Sequence, residues 1–376
     1  MINSNWKVVA ILLAVSCVCG CSTLAKRNDS GVVVARRAQI RSSTAVVAAD
    51  LLEVNRGDEV DILEFQDVQD PSDNSKKERW FRVQAHDEDS TEGWIESRNV
   101  MPEEVLEAAK KLAEEDKDIP AQASGQLRAS SNLRLSPDRG GNENIMMRLD
   151  SGSSFEIVGW KRVPKPKASE AIESDVAPKA GSAQQGPARS NQNNQEPEQE
   201  ETNELWYKVR LPPLISPAPA GWIYGKQVEL TVPSDIIFYR TGREFVAWQR
   251  LDGDSDTDAS KTKDAAREAK PGSWVILEKS SSNQPRTLEE PDFDRIYVLG
   301  YDKRDQEHYT AYRSPDLKGF LPFRVGGRPD SKTFTIRVRD ENGQISDVEY
   351  SVYKDARGYL KISAPTGAKE KDKRKK

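Results

Sequence analysis

The chain has 376 residues, enough for two or three domains at roughly 100–200 residues each. Hydrophobic residues at 36% and charged residues at 31% make it too polar for one uniformly packed globule, so part of it reads as linker or insertion. A net charge of −5 supplies no concentrated basic face, which argues against nucleic acid as a partner.

Near its start the chain carries a single positive charge, Lys7, followed by an apolar run, residues 8–15, that fades by Gly20. The run falls short of the ~20 apolar residues of a permanent membrane span and fits the ~7–15 residues of a signal-peptide core. Directly after it comes Val18-Cys19-Gly20-Cys21: branched apolar, small, small, then cysteine. This pattern resembles the lipobox of bacterial lipoproteins. The resemblance implies a signal peptide over 1–20, cleavage after Gly20 and acylation of Cys21. Several acyl chains hold a protein at a membrane stably, since each buried CH₂ contributes ~0.8 kcal/mol. Ser22, where aspartate would direct retention at the inner membrane, implies the outer membrane, facing the periplasm. Residues 21–33 then read as a tether.

Next come four short blocks that recur in one order. The first copy, over 34–101, has Ala38-Gln39-Ile40-Arg41-Ser42, then Gly57 to Leu63, then Arg79-Trp80-Phe81-Arg82-Val83, then Gly93-Trp94-Ile95. The second, over 124–231, has Ser131-Asn132-Leu133-Arg134-Leu135, then Gly152 to Val158, then Leu205-Trp206-Tyr207-Lys208-Val209, then Gly221-Trp222-Ile223. Each block alternates and is bounded by turn residues, which predicts strands. The order of blocks resembles the bacterial SH3-like domain, and the resemblance implies two small β-barrels. Alternation turns Val60, Ile62, Phe81, Val83, Tyr207 and Val209 toward the cores. It sends Trp80, Trp94, Trp206 and Trp222 to the opposite faces, with Arg82 and Lys208 beside them.

Between the copies, residues 102–123 read as a helical linker. Pro102 suits its first position, Glu103 and Glu104 complement the dipole, and Val105, Ala108, Ala109 and Leu112 form one stripe. The second copy is interrupted over about 161–203 by a Pro-, Gln- and Asn-rich stretch without apolar periodicity, which reads as a disordered insertion. Residues 232–366 become strand-rich again and predict a compact antiparallel β domain, with Asn342-Gly343 as a type I′ hairpin turn. Residues 367–376 form a basic tail. The expected fold is therefore mainly β: two SH3-like barrels joined by a short helix, followed by the antiparallel domain.

Catalysis is poorly provided for. All three cysteines lie at or before Cys21, which leaves the body without a thiol nucleophile, and the two histidines, His86 and His308, are far apart. No cofactor and no metal are expected, and the chain reads as a binding module, not an enzyme. The ligand-binding candidates are Trp80, Arg82, Trp94, Trp206, Lys208, Trp222 and Tyr224, because flat aromatics beside cations suit sugars or peptides. The alternative weighed for each tryptophan is packing across strands or beneath a loop. The resemblance favours cell-wall peptidoglycan as the partner. The acidic charge and the large C-terminal domain favour an envelope protein, and a cell-wall hydrolase stands third.

Overall fold

The computed structural model describes residues 29–70, 73–166, 203–240, 242–252, 271–280, 288–328 and 331–364. The signal peptide, Cys21, the basic tail and most of the expected insertion lie outside the described residues. The fold is mainly β, with twenty-two strands and a single α-helix among the described residues. The chain divides into two compact units, Met1–Glu104 and Val105–Lys376.

The first unit is one curled antiparallel sheet. Its strands are β1 (Asp29–Val33), β2 (Arg37–Arg41), β3 (Asp50–Asn55), β4 (Glu59–Asp70), β5 (Asp73–Ala85), β6 (Glu92–Glu96) and β7 (Val100–Pro102), in the order β3-β2-β6-β5-β4-β1-β7. Val33, Ile40, Val54, Val60, Val83 and Ile95 form its core, with Ile62 and Phe81 packed against them, as period-two alternation predicts. Gly57 turns β3 into β4 at φ +94°, a conformation glycine adopts without strain. One boundary moves: the expected tether over 21–33 ends in strand β1, which pairs with both β4 and β7. Its Val32 and Val33, with Val34 beyond, form a continuous apolar run that is buried without alternating.

The helix α1 (Glu103–Glu115) spans the boundary between the units and starts one residue after Pro102, which closes β7. Ala109 is buried, and Val105, Ala108 and Leu112 are half-buried beside it, which is the expected stripe. Seven further strands follow: β8 (Ala123–Leu127), β9 (Ser131–Arg134), β10 (Ile145–Leu149), β11 (Ser154–Pro164), β12 (Asn203–Arg210), β13 (Ala220–Tyr224) and β14 (Val228–Leu230). Their order, β10-β9-β13-β12-β11-β8-β14, reproduces the first sheet strand for strand. Even the single 3₁₀ turn before the last strand recurs, at Ser97–Asn99 and Gly225–Gln227. The duplication read in the sequence is thus a duplication of topology. The ladder between β11 and β12 runs on to Pro164 opposite Asn203, so the interruption of the second copy begins beyond Pro164, not at Lys161.

The C-terminal strands form two four-stranded antiparallel sheets. One holds β15 (Arg243–Arg250), β16 (Trp274–Ser280), β17 (Arg295–Asp302) and β18 (Glu307–Arg313). The other holds β19 (Gly319–Arg328), β20 (Ser331–Arg339), β21 (Ile345–Lys354) and β22 (Leu360–Ser363). They share one core in which Val275, Leu277, Ile296 and Val298 meet Phe323, Phe334, Ile336 and Val352. The Asn342-Gly343 hairpin forms, but not as a type I′ turn. Only Gly343 takes positive φ, and the Asp340 carboxylate accepts from the N–H groups of Asn342 and Gln344, giving a longer loop closed by the aspartate. The sandwich and the second sheet belong to the same unit. Buried Gln122 donates its side-chain amide to Phe323 O (3.0 Å), accepts from Phe323 N (2.8 Å) and offers its own carbonyl to Trp248 N (2.8 Å).

Candidate functional site

The two sheets carry a matching constellation on the face away from their cores. In the first, Trp94 on β6 lies opposite Arg82 on β5 and Arg41 on β2. In the second, Trp222 on β13 lies opposite Lys208 on β12 and Arg134 on β9. Directly opposed residues share a face, so each tryptophan is set between two cations. Both indoles are half-buried. The glycine before each one has a steric reason. A Cβ on Gly93 would sit 2.6 Å from the Arg41 carbonyl, and one on Gly221 would sit 2.7 Å from the Leu133 side chain.

Arg41 and Arg134 were not among the expected site residues, yet they do the same job in each copy. Arg41 donates to the carbonyls of Val46 (2.9 Å) and Ala48 (3.1 Å), and Arg134 donates to Gly141 O (2.8 Å) and Asn144 Oδ1 (2.6 Å). Each guanidinium thereby fixes the loop that follows its strand. An arginine at the same place in both opening blocks was the available signal.

Four expected ligand residues are not accessible. Trp80 is 6% exposed and Trp206 is fully buried. Tyr224 and Lys208 are buried as well. Alternation correctly puts them opposite the core but says nothing about what covers that face. In the second sheet the loop after β9 covers it. Arg139 from that loop lies 4.8 Å over the Tyr224 ring and forms a bidentate pair with buried Glu204, at 2.5–3.2 Å. Tyr224 in turn packs 5.6 Å from Trp206. Lys208 is held by Glu115 (2.8 Å) and Asp116 (2.5 Å) at the end of α1. Burial, the largest single influence on Lys208, works against its charge, but the two carboxylates outweigh it and hold its pKa above 10.5. The same acids sit at the helix C-terminus, where the dipole disfavours them, and the lysine offsets that penalty.

Arg82 is where alternation puts it, 44% exposed, bridging Glu64 (3.1 Å) and Glu92 (3.0 Å). The accessible part of the predicted set is therefore Arg82, Trp94 and Trp222.

Neither histidine is arranged as a general base toward a nucleophile among the described residues. His86 is half-exposed beside Asp61, at 3.3 Å. His308 is buried between Tyr239 and Tyr301, with Nε2 2.8 Å from Gly272 O. Among the described residues no group of three or more His, Cys, Asp or Glu could hold a metal ion, and no helix is long and apolar enough to cross a membrane.

No protein-family model matches the chain, and no curated protein matches it. Among solved structures, NlpC1 from Trichomonas vaginalis is 10% identical, over 77% of this chain and 90% of its own, with a TM-score of 0.15. NlpC2 from Trichomonas vaginalis is 8% identical, over 76% and 97%, with the same TM-score. Superpositions this loose carry no argument about fold or activity.

Proposed function

We propose that this chain is a non-catalytic binding scaffold of the cell envelope, lipid-anchored through Cys21 and engaging cell-wall peptidoglycan through its two repeats. One observation carries the reading: a half-exposed tryptophan stands between two cations at the equivalent place in both sheets. An indole face takes the apolar side of a sugar or peptide, and in the first repeat the exposed Arg82 beside Trp94 takes a carboxylate, which together is the mixed chemistry of peptidoglycan. The SH3-like order of the sequence blocks and the lipobox-like Val18-Cys19-Gly20-Cys21 support the same assignment. Anchorage would be at the outer membrane, facing the periplasm. The absence of cysteine after Cys21 supports a binding role over a thiol hydrolase. A second reading, a subunit that holds an envelope protein, is favoured by the net charge of −5 and by the sandwich in the second unit.

Sedimentation of the full chain with purified cell-wall sacculi tests the reading. Trp94→Ala combined with Trp222→Ala is expected to weaken capture strongly, each anchor contributing ~2 kcal/mol. Capture by sacculi that the double variant leaves unchanged would move the site elsewhere. No capture at all would leave the envelope-protein reading in its place.

A further inference from the structure

The sandwich core stops short of one end of the C-terminal domain. Beyond Leu251, Val352 and Leu360 the interior opens into a cleft of about 680 Å³, within the ~300–1,000 Å³ of small-molecule sites. Its wall is aromatic. Tyr309 lies flat over β17 because residue 300 is glycine: a Cβ there would fall 2.3 Å from the Tyr309 ring. Tyr359 packs edge-on to Tyr309, with ring centroids 5.0 Å apart. The Tyr309 hydroxyl accepts the Leu360 N–H at 2.7 Å, which leaves its own proton to donate, and burial raises its pKa above 10 so that the proton stays on.

The charges around the cleft are unequal in their commitments. The acids are engaged: Asp252 accepts from Ser273 N (2.9 Å), and Asp302 accepts from Arg304 N (2.9 Å). The side chains of Lys303, Lys332, Lys354 and Arg357 have no hydrogen-bond or ion-pair partner among the described residues. Lys332 lies opposite Val352, and Lys354 is two residues further along β21, so both stand on the inward face of the sheet at the mouth of the cleft. Uncommitted cations around a tyrosine-lined hollow call for carboxylates carried on a flat, hydroxylated body.

We propose that this cleft binds a carboxylate-bearing oligosaccharide, a second site distinct from the Trp94 and Trp222 faces. A peptide added as a strand fits less well. β22 is the edge strand that borders the cleft, and the N–H of Leu360 on it is already taken by the Tyr309 hydroxyl. The remaining recognition elements are ring faces, hydroxyls and cations, which suit sugar rings and their acid groups.

Calorimetric titration of the full chain with three acid oligosaccharides, from polygalacturonate, hyaluronan and alginate, tests this. Methyl-esterified oligogalacturonate is the neutral control and oligoglutamate the peptide control. Saturable binding to at least one acid sugar is expected, with little heat from the ester or the peptide. Lys332→Ala combined with Lys354→Ala should weaken that binding about tenfold or more, with an unchanged melting temperature. The Trp94→Ala, Trp222→Ala double variant should leave it intact, which separates this site from the repeat faces. Silence toward all three sugars, equal affinity for oligoglutamate, or binding indifferent to the lysine pair would overturn the proposal.

Discussion

The two repeats share a strand order and a side-chain alternation, but they differ in what covers matching residues on either face of the sheet. In the first, Arg82 and Arg79 stand among Glu64, Glu92 and Asp67 in exposed pairs, and Phe65 is 63% exposed beneath Arg79. In the second, the matching positions are roofed. Glu204 holds Arg139 in a buried pair, Lys208 meets the end of α1, and Trp160, the counterpart of Phe65, donates to Asp292 of the sandwich at 2.6 Å. The equivalence is in the registers: Phe65 faces Phe81, and Trp160 faces Tyr207. A duplicated backbone therefore conserves which face a residue occupies, while the loops and neighbours decide whether that residue meets water.

The contrast is sharpest at Glu204 and its first-repeat counterpart, Glu78. Glu204→Ala strands the buried Arg139 guanidinium and should lower the stability of the second unit by ~3–5 kcal/mol. Glu78→Ala, half-buried and with no buried cation paired to it among the described residues, should cost less than ~0.5 kcal/mol. Denaturant melts of the full chain, followed by hydrogen exchange in each unit, measure both. Equal losses would mean that the two faces are equally covered.

A smaller difference is expected at the hairpin aromatics. Trp160→Ala removes the packing on Tyr207 and the hydrogen bond to Asp292, for about 3 kcal/mol. Phe65→Ala should stay near or below about 1 kcal/mol. Exchange protection at the β11–β12 hairpin reads the first, and at β4–β5 the second. A costly Phe65→Ala would show that the first hairpin is also covered in solution.

The least effect is expected from alkali. Lys208 has a folded pKa raised above 10.5 by Asp116 and Glu115, so its contribution is complete below 10.5 and fades as pH rises through the higher folded value. Arg82, whose guanidinium Glu64 and Glu92 hold still further above its ordinary range, keeps its charge throughout. Thermal melts between pH 9 and 11.5 should show an alkaline loss in the second unit that Lys208→Met abolishes. A loss that persists in Lys208→Met would assign it to another group.

What was legible in the sequence follows from the range of each signal. Alternation in Asp58 to Leu63 and in Arg79 to Val83 is local, and it placed the strands and the inward residues of both sheets. The fate of Trp206 was not local. It depends on Arg139 meeting Glu204, 65 residues away, and on the end of α1 meeting Lys208, 93 residues from Glu115. β1 escaped because Val32 to Val34 is too short and too uniform to show a period. The hairpin turn differed because the Asp340 carboxylate competes for the turn's N–H groups, which the Asn-Gly pair alone does not reveal. The sandwich cleft draws on Gly300, Tyr309, Lys332 and Lys354 from four strands, so no window of sequence contains it.

The pairing of β1 with β7 sets how the first unit bears a load. Gly31 lies opposite Pro102 and Val33 opposite Val100, so the chain enters and leaves this sheet at the same end of one antiparallel ladder. Tension along the backbone pulls those neighbours apart crosswise, and β7, the edge strand, peels away one hydrogen bond after another. The second sheet repeats the arrangement, with β8 against β14 and Leu127 opposite Val228. Two modules in series that each open like a zipper yield gradually at low force and lengthen the chain without a single abrupt rupture. A tether built from them is compliant by topology, whatever it holds.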